Sequence, residues 1–105
     1  MISPVNLWTR LQLESNLLIV DVRDADEFAA GSIVGARNLP HDRAISELPT
    51  ILDPMRGVVF ICSFGQRSSS ACAALKRLGF TAAVFLDGGL DGWTRAGFPL
   101  AGRRS

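Results

Sequence analysis

The sequence predicts an α/β fold, an open and mainly parallel sheet with helices on both faces. Two observations carry this. Three apolar runs, at residues 17–22, 58–62 and 82–86, are nearly continuous rather than alternating, the pattern of strands buried on both faces. Between them lie segments whose apolar residues recur at helical spacing, so strands alternate with helices as parallel crossovers require. The 105 residues, 48% of them hydrophobic, suffice for one domain over 1–105 with a single modest core.

Taken in order, Ser3-Pro4 opens a first helix with a hydroxyl cap and a proline in the first turn, and Val5, Trp8 and Leu11 recur along it to about Glu14. The strand at 17–22 follows. Asp24 and Glu27 form a capping-box pair that starts a short helix, and Gly31 ends it. Residues 36–39 make a short strand before Pro40. Ile45, Leu48 and Leu52 mark a helix over 44–52 that Pro49 is expected to kink or split. After the strand at 58–62, a helix over 68–78 places Ala71, Leu75 and Leu78 on one face and stops at Gly79. The strand at 82–86 leads through Asp87-Gly88-Gly89 to a short helix bearing Leu90 and Trp93. Phe98-Pro99-Leu100 is expected to pack back on the domain, and 102–105 to be a disordered end.

Composition narrows the function classes. The formal net charge is +1, which offers no global field for nucleic acid or an anionic membrane surface. The first 13 residues lack a basic start with a continuous apolar core, and no apolar run approaches the roughly 18–20 residues of a membrane span, so a cytoplasmic location is the expectation. The two cysteines, Cys62 and Cys72, are too far apart for a Cys-x-x-Cys redox or zinc motif. Glycines 88, 89 and 92 lack the spacing of a dinucleotide loop and read as turn residues. His41, the sole histidine, follows Pro40 at a surface-like turn and reads as solvated rather than as a general base.

Chemistry concentrates at Cys62-Ser63-Phe64-Gly65-Gln66-Arg67-Ser68. A strand that ends in a thiol and runs straight into a helix aims unpaired backbone N–H groups and the positive end of a helix dipole at the sulfur. Lowering a cysteine pKa by roughly two units stabilises the thiolate by about 2.7 kcal/mol. Hydrogen bonds to a charged group contribute about 1.5–3 kcal/mol each, so two well-aimed amides suffice without an imidazole. Gly65 lets the backbone turn so that its amide faces inward. Cys72, inside a helix between Ala71 and Ala73, reads as a packing residue rather than a resolving thiol.

The same stretch resembles the active-site loop of single-domain rhodanese-like sulfurtransferases, Cys-x-x-Gly-x-Arg-Ser, carried here by Cys62, Gly65, Arg67 and Ser68. Leu18-Ile19-Val20-Asp21-Val22-Arg23, then Glu27-Phe28, Gly31, Ile33, Gly35-Ala36 and Asn38-Leu39-Pro40, resemble the family's N-terminal signature. Leu86-Asp87-Gly88-Gly89 with Trp93 resembles its C-terminal one. One departure stands out: Ser32 occupies the place where the family often has histidine, between Gly31 and Ile33.

The resemblance implies a persulfide on Cys62 as the catalytic residue and a loop from Ser63 to Ser68 that cradles it, with Asp21, Arg23 and Glu27 in supporting roles. Arg67 would brace the loop against an acidic residue such as Glu27. It implies a small sulfur donor such as thiosulfate, a thiol, protein thiol or cyanide as acceptor, and no metal or organic cofactor. Two rivals share these residues. Phosphatases and arsenate reductases on the same fold enclose five residues between cysteine and arginine, whereas Cys62 and Arg67 enclose four. A binding module would use the loop only to dock a partner through Phe64, apolar at an expected loop tip.

Overall fold

In the computed structural model, which describes residues 1–14 and 16–102, the chain runs α1 (Pro4–Leu13), β1 (Ile19–Asp21), α2 (Ala25–Ala30), β2 (Arg37–Asn38), α3 (His41–Ile51), β3 (Val58–Ile61), α4 (Gln66–Arg77), β4 (Ala83–Phe85) and α5 (Gly89–Arg95). All strand pairs are parallel, in the order β2-β1-β3-β4. The strands are shorter than their apolar runs. Of the end predicted to be disordered, 102–105, residues 103–105 lie outside the described residues. No helix among the described residues is long and apolar enough to cross a membrane.

Alternation along the strands splits the core into two layers. Ile19, Val59 and Ile61 join Leu7, Leu90 and Trp93 of α1 and α5. Val20, Val58, Phe60 and Cys62 face the other way, against Ala44 and Leu48 of α3 and Ala71 and Leu75 of α4. Burial on both faces explains why the central runs carry no polar alternation. The C-terminal tail packs back as expected: Phe98 stacks on Trp8 with ring centroids 4.9 Å apart, and the Trp93 indole N–H donates to Pro99 O at 2.8 Å.

Several local expectations need correcting. In α1 Trp8 and Leu11 pack against the core as expected, but the fully buried residue beside them is Leu7, and Val5 faces solvent. α3 begins at His41 and continues unbroken past Pro49. Proline there removes only the bond to Ile45 O, and the Leu52 N–H still donates to Leu48 O at 2.9 Å, so the last turn closes. Leu78 is exposed because it caps α4 rather than belonging to its buried face, and α4 starts at Gln66, with Gly65 as its cap at φ 105°. His41 is not freely solvated. Its Nε2 lies 3.1 Å from Ser70 Oγ and its Nδ1 lies 2.8 Å from Asp42 Oδ1, which ties α3 to α4.

Asp21 and Arg23 build a buried polar corner after β1. The Asp21 carboxylate accepts from the Arg23 backbone N–H at 3.0 Å, from Arg23 Nη2 at 2.8 Å and from the Ser32 hydroxyl at 2.7 Å. Arg23 also donates to Gly31 O, and Asn38 Nδ2 donates to the carbonyls of Asp21 and Arg23. Ser32 thus closes the corner in place of an imidazole, and no buried side-chain polar atom among the described residues lacks a partner. A buried carboxylate tolerates its site only when paired and hydrogen-bonded in this way.

Candidate active site

Parallel strands deliver their carboxyl ends to one edge of the sheet, and at that edge Cys62 directly follows β3. The Cys62 residue is 1% exposed, so the loop that follows closes around its sulfur. The Gly65 N–H donates to Sγ at 3.1 Å and the Ser68 N–H at 3.3 Å. The Ser68 hydroxyl lies 3.2 Å from Sγ and 3.3 Å from Gly65 O. In the thiol form the S–H donates to Ser68 Oγ, and on deprotonation the hydroxyl turns to donate to the sulfur.

Two effects oppose one another at this thiol. Burial, the largest single influence, pushes its pKa up; the Ser68 hydroxyl and the Ser68, Gly65 and Phe64 amides together outweigh it, and the net shift is downward. At Cys72 burial acts with no such donors and pushes the thiol up. Cys72 is 3% exposed in the α3/α4 layer.

The loop keeps its amides inward because its carbonyls are held elsewhere. The Leu90 N–H donates to Cys62 O at 2.8 Å and the Asp91 N–H to Ser63 O at 2.9 Å, so the first turn of α5 engages the loop backbone. This contact requires glycine at 89. Its φ is +62°, and an added Cβ would lie 2.6 Å from Cys62 O and from Ser63 O. The Gly88-Gly89 pair is therefore a close-approach site as well as a turn.

Arg67 projects from the first turn of α4 onto Glu27 of α2. The pair is two-pronged, Nη1 to Oε1 at 2.9 Å and Nη2 to Oε2 at 3.2 Å, and Glu27 Oε1 also accepts the Asp24 N–H at 3.1 Å. The Ser63 hydroxyl sits beside this pair, 3.4 Å from Glu27 Oε2 and 3.4 Å from Arg67 Nη2. The Arg67 guanidinium and the Asp24 amide hold the Glu27 carboxyl down at about 2.

The structure therefore brings Cys62, Gly65 and Ser68 together, with Ser63, Arg67 and Glu27 bracing them from outside. Asp21 and Arg23 stand apart: their hydrogen bonds go to each other and to Ser32, Gly31 and Asn38, not to the loop. Phe64 points outward, 67% exposed, and Gln66 is exposed at the first position of α4. Sequence reasoning missed the direct role of the Ser68 side chain and the clamp from Leu90 and Asp91. The only hint was a second glycine, Gly89, at the first position of α5. No cluster among the described residues has the His, Cys, Asp and Glu groups to hold a metal.

The Rhodanese-like domain family matches residues 3–96. The chain is 33% identical over 99 residues to a protein of Actinobacillus succinogenes named thiosulfate sulfurtransferase GlpE, covering 94% of this chain and 87% of that one. It is 37% identical over 98 residues to a protein of Allochromatium vinosum named sulfurtransferase, covering 90% and 88% of the two chains. The solution structure of a rhodanese-like domain from Anabaena superposes with a TM-score of 0.88 at 28% identity, covering 98% of this chain and 79% of that one.

Two predictions follow from the bracing. Gly89→Ala should destabilise the fold by about 3 kcal/mol through left-handed strain and overpacking. Gly97→Ala, at φ +91° with nothing within 4 Å of its added Cβ, should carry only the strain. Urea midpoints that shift equally for the two would remove the clamp. For the ion pair, a carboxyl at about 2 in the fold and about 4.3 unfolded adds stability above the higher value, which is lost as pH falls through the lower. Glu27→Gln should flatten the stability profile between about pH 5 and 2, by no more than about 1 kcal/mol because the pair is partly exposed.

Proposed function

The chain belongs to the rhodanese-like domain family, and on that premise we propose that Cys62 carries sulfane sulfur, as a persulfide, from a donor such as thiosulfate to a thiol or cyanide. Relatives named thiosulfate sulfurtransferase and sulfurtransferase support reading the chain as a rhodanese-family sulfurtransferase. The observation that carries the mechanism is the set of inward N–H donors on Sγ, from Gly65 at 3.1 Å and Ser68 at 3.3 Å.

In the first step the Cys62 thiolate attacks the outer sulfur of the donor. A new S–S bond forms, the donor's own S–S bond breaks, and its electron pair leaves with sulfite when thiosulfate is the donor. The terminal persulfide sulfur carries the negative charge. An acceptor thiolate or cyanide then attacks that sulfur, takes it, and returns Cys62 as thiolate. Amides that stay in place through both steps stabilise the charge without reorganising.

Arg67 is engaged by Glu27 and sits outside the cradle, and Ser63 to Gln66 carry no charge. A tetrahedral phosphate would need more donors than this short loop aims inward, which favours sulfur transfer over phosphoryl transfer.

Intact mass after incubation with thiosulfate and desalting tests the proposal, with native protein and Cys62→Ser side by side. Gain of one sulfur atom by the native protein, reversed by a reducing thiol and absent in the variant, is the expected result. No gain from thiosulfate, mercaptopyruvate or a persulfidated protein would overturn it.

A further inference from the structure

The charged side chains of this nearly neutral molecule are sorted by position. Arg23, Arg43, Arg67 and Arg95 lie toward the edge that carries Cys62 or on the helices that flank it, and each is in an ion pair with a carboxylate: Asp21, Glu47, Glu27 and Asp91. Three exposed carboxylates at that edge, Asp24, Asp26 and Asp87, make no ion pair among the described residues. Among the described residues, the cations without such a pair lie elsewhere. Arg37 starts β2, Arg56 precedes β3, and Lys76 and Arg77 end α4, all toward the amino ends of the strands. Among the described residues Asp53 is the one carboxylate at that opposite end without an ion pair, and its side chain accepts the Met55 N–H.

The acidic groups flank the loop from both sides. Asp24 caps α2, donates its N–H to Glu27, and its charge acts on Arg67. Asp87 lies between Leu86 and Gly88, both of which contribute backbone atoms within 4 Å of a Cβ placed on Gly65. Between these flanks Phe64 stands 67% exposed within the loop, two residues after a cysteine that is 1% exposed. A small acidic thiol approaching this edge meets negative charge that no ion pair among the described residues offsets, and gains nothing from the phenyl ring. A protein surface of opposite sign gains from both.

We infer that the Cys62 edge docks a protein whose reactive sulfur is ringed by basic residues, with Phe64 seated against an apolar part of that partner. This rests on Cys62 exchanging sulfur with a thiol, and it assigns that exchange to a protein thiol in a basic setting rather than to a small acidic one.

The experiment reads the charge preference without needing a persulfide. Two cysteine peptides, one flanked by lysines and one by glutamates, are each activated as a pyridyl disulfide. The Cys62 thiolate attacks the peptide sulfur, a mixed disulfide forms and thiopyridone leaves, with intact mass counting one adduct. Rates are divided by those of each peptide with mercaptoethanol, which removes intrinsic differences in reactivity.

At about 10 mM ionic strength, where the Debye length is about 30 Å, the lysine peptide should be favoured by about tenfold, and at about 1 M, where it is about 3 Å, the preference should vanish. The triple variant Asp24→Asn, Asp26→Asn, Asp87→Asn should lose most of the preference, and asparagine at 24 still caps α2. Equal normalised rates, faster reaction of the glutamate peptide, or a preference untouched by the three substitutions would overturn the inference. Failure of persulfide loading would instead overturn the sulfur-transfer reading and leave these rates measurable.

Discussion

A sulfur atom enclosed by backbone N–H groups is the constraint on which the rest of this structure depends. Amides converge on one point only if the intervening carbonyls diverge from it, and diverging carbonyls inside a fold need donors of their own. Here those donors are the first free N–H groups of α5, from Leu90 and Asp91, which bind Cys62 O and Ser63 O. A helix N-terminus has such N–H groups to give, so the fold meets two needs with one contact. The sheet order follows the same logic: β3 and β4 are neighbours, so the turn leaving β4 can reach the loop leaving β3.

The same edge shows burial and charge in opposition. Enclosing Cys62 disfavours its thiolate, yet without enclosure the donors would be competing with water for the sulfur. Fixed amides and the Ser68 hydroxyl resolve this in favour of the anion. Cys72, of similar exposure but without donors, moves the other way, so the opposite shifts of the two thiols come from hydrogen bonding and not from burial. Arg67 contributes rigidity: its pairing with Glu27 pins the start of α4, and with it the Ser68 amide, to α2.

Much of this was legible in the residues. The buried strands announced themselves as unbroken apolar runs, the Asp24 and Glu27 spacing announced α2, and the Cys62 to Ser68 pattern announced both the loop and the family. What escaped was set by contacts distant in sequence. Whether Val5 or Leu7 faces the core depends on how α1 lies on the sheet, and both fit helical periodicity. Pro49 forfeits one bond, to Ile45 O, and whether the preceding turn tolerates that is set by how α3 packs, which leaves the closing bond from Leu52 to Leu48 intact. Ser32 in a histidine position became intelligible only once Asp21 Oδ2 was seen 2.7 Å from its hydroxyl. The clamp from α5 could not be read from a glycine pair alone, because nothing local states which backbone it will approach.

The central claim is that donors defeat burial at Cys62, and an absorbance titration of its thiolate tests it most directly, in native protein and in Ser68→Ala. Cys72, pushed up by burial, stays out of the window. The account predicts a native midpoint below the about 8.5 of an ordinary cysteine, moved upward when the hydroxyl is removed. A native midpoint at or above that value would mean that burial wins, and that the loop encloses a thiol rather than holding an anion.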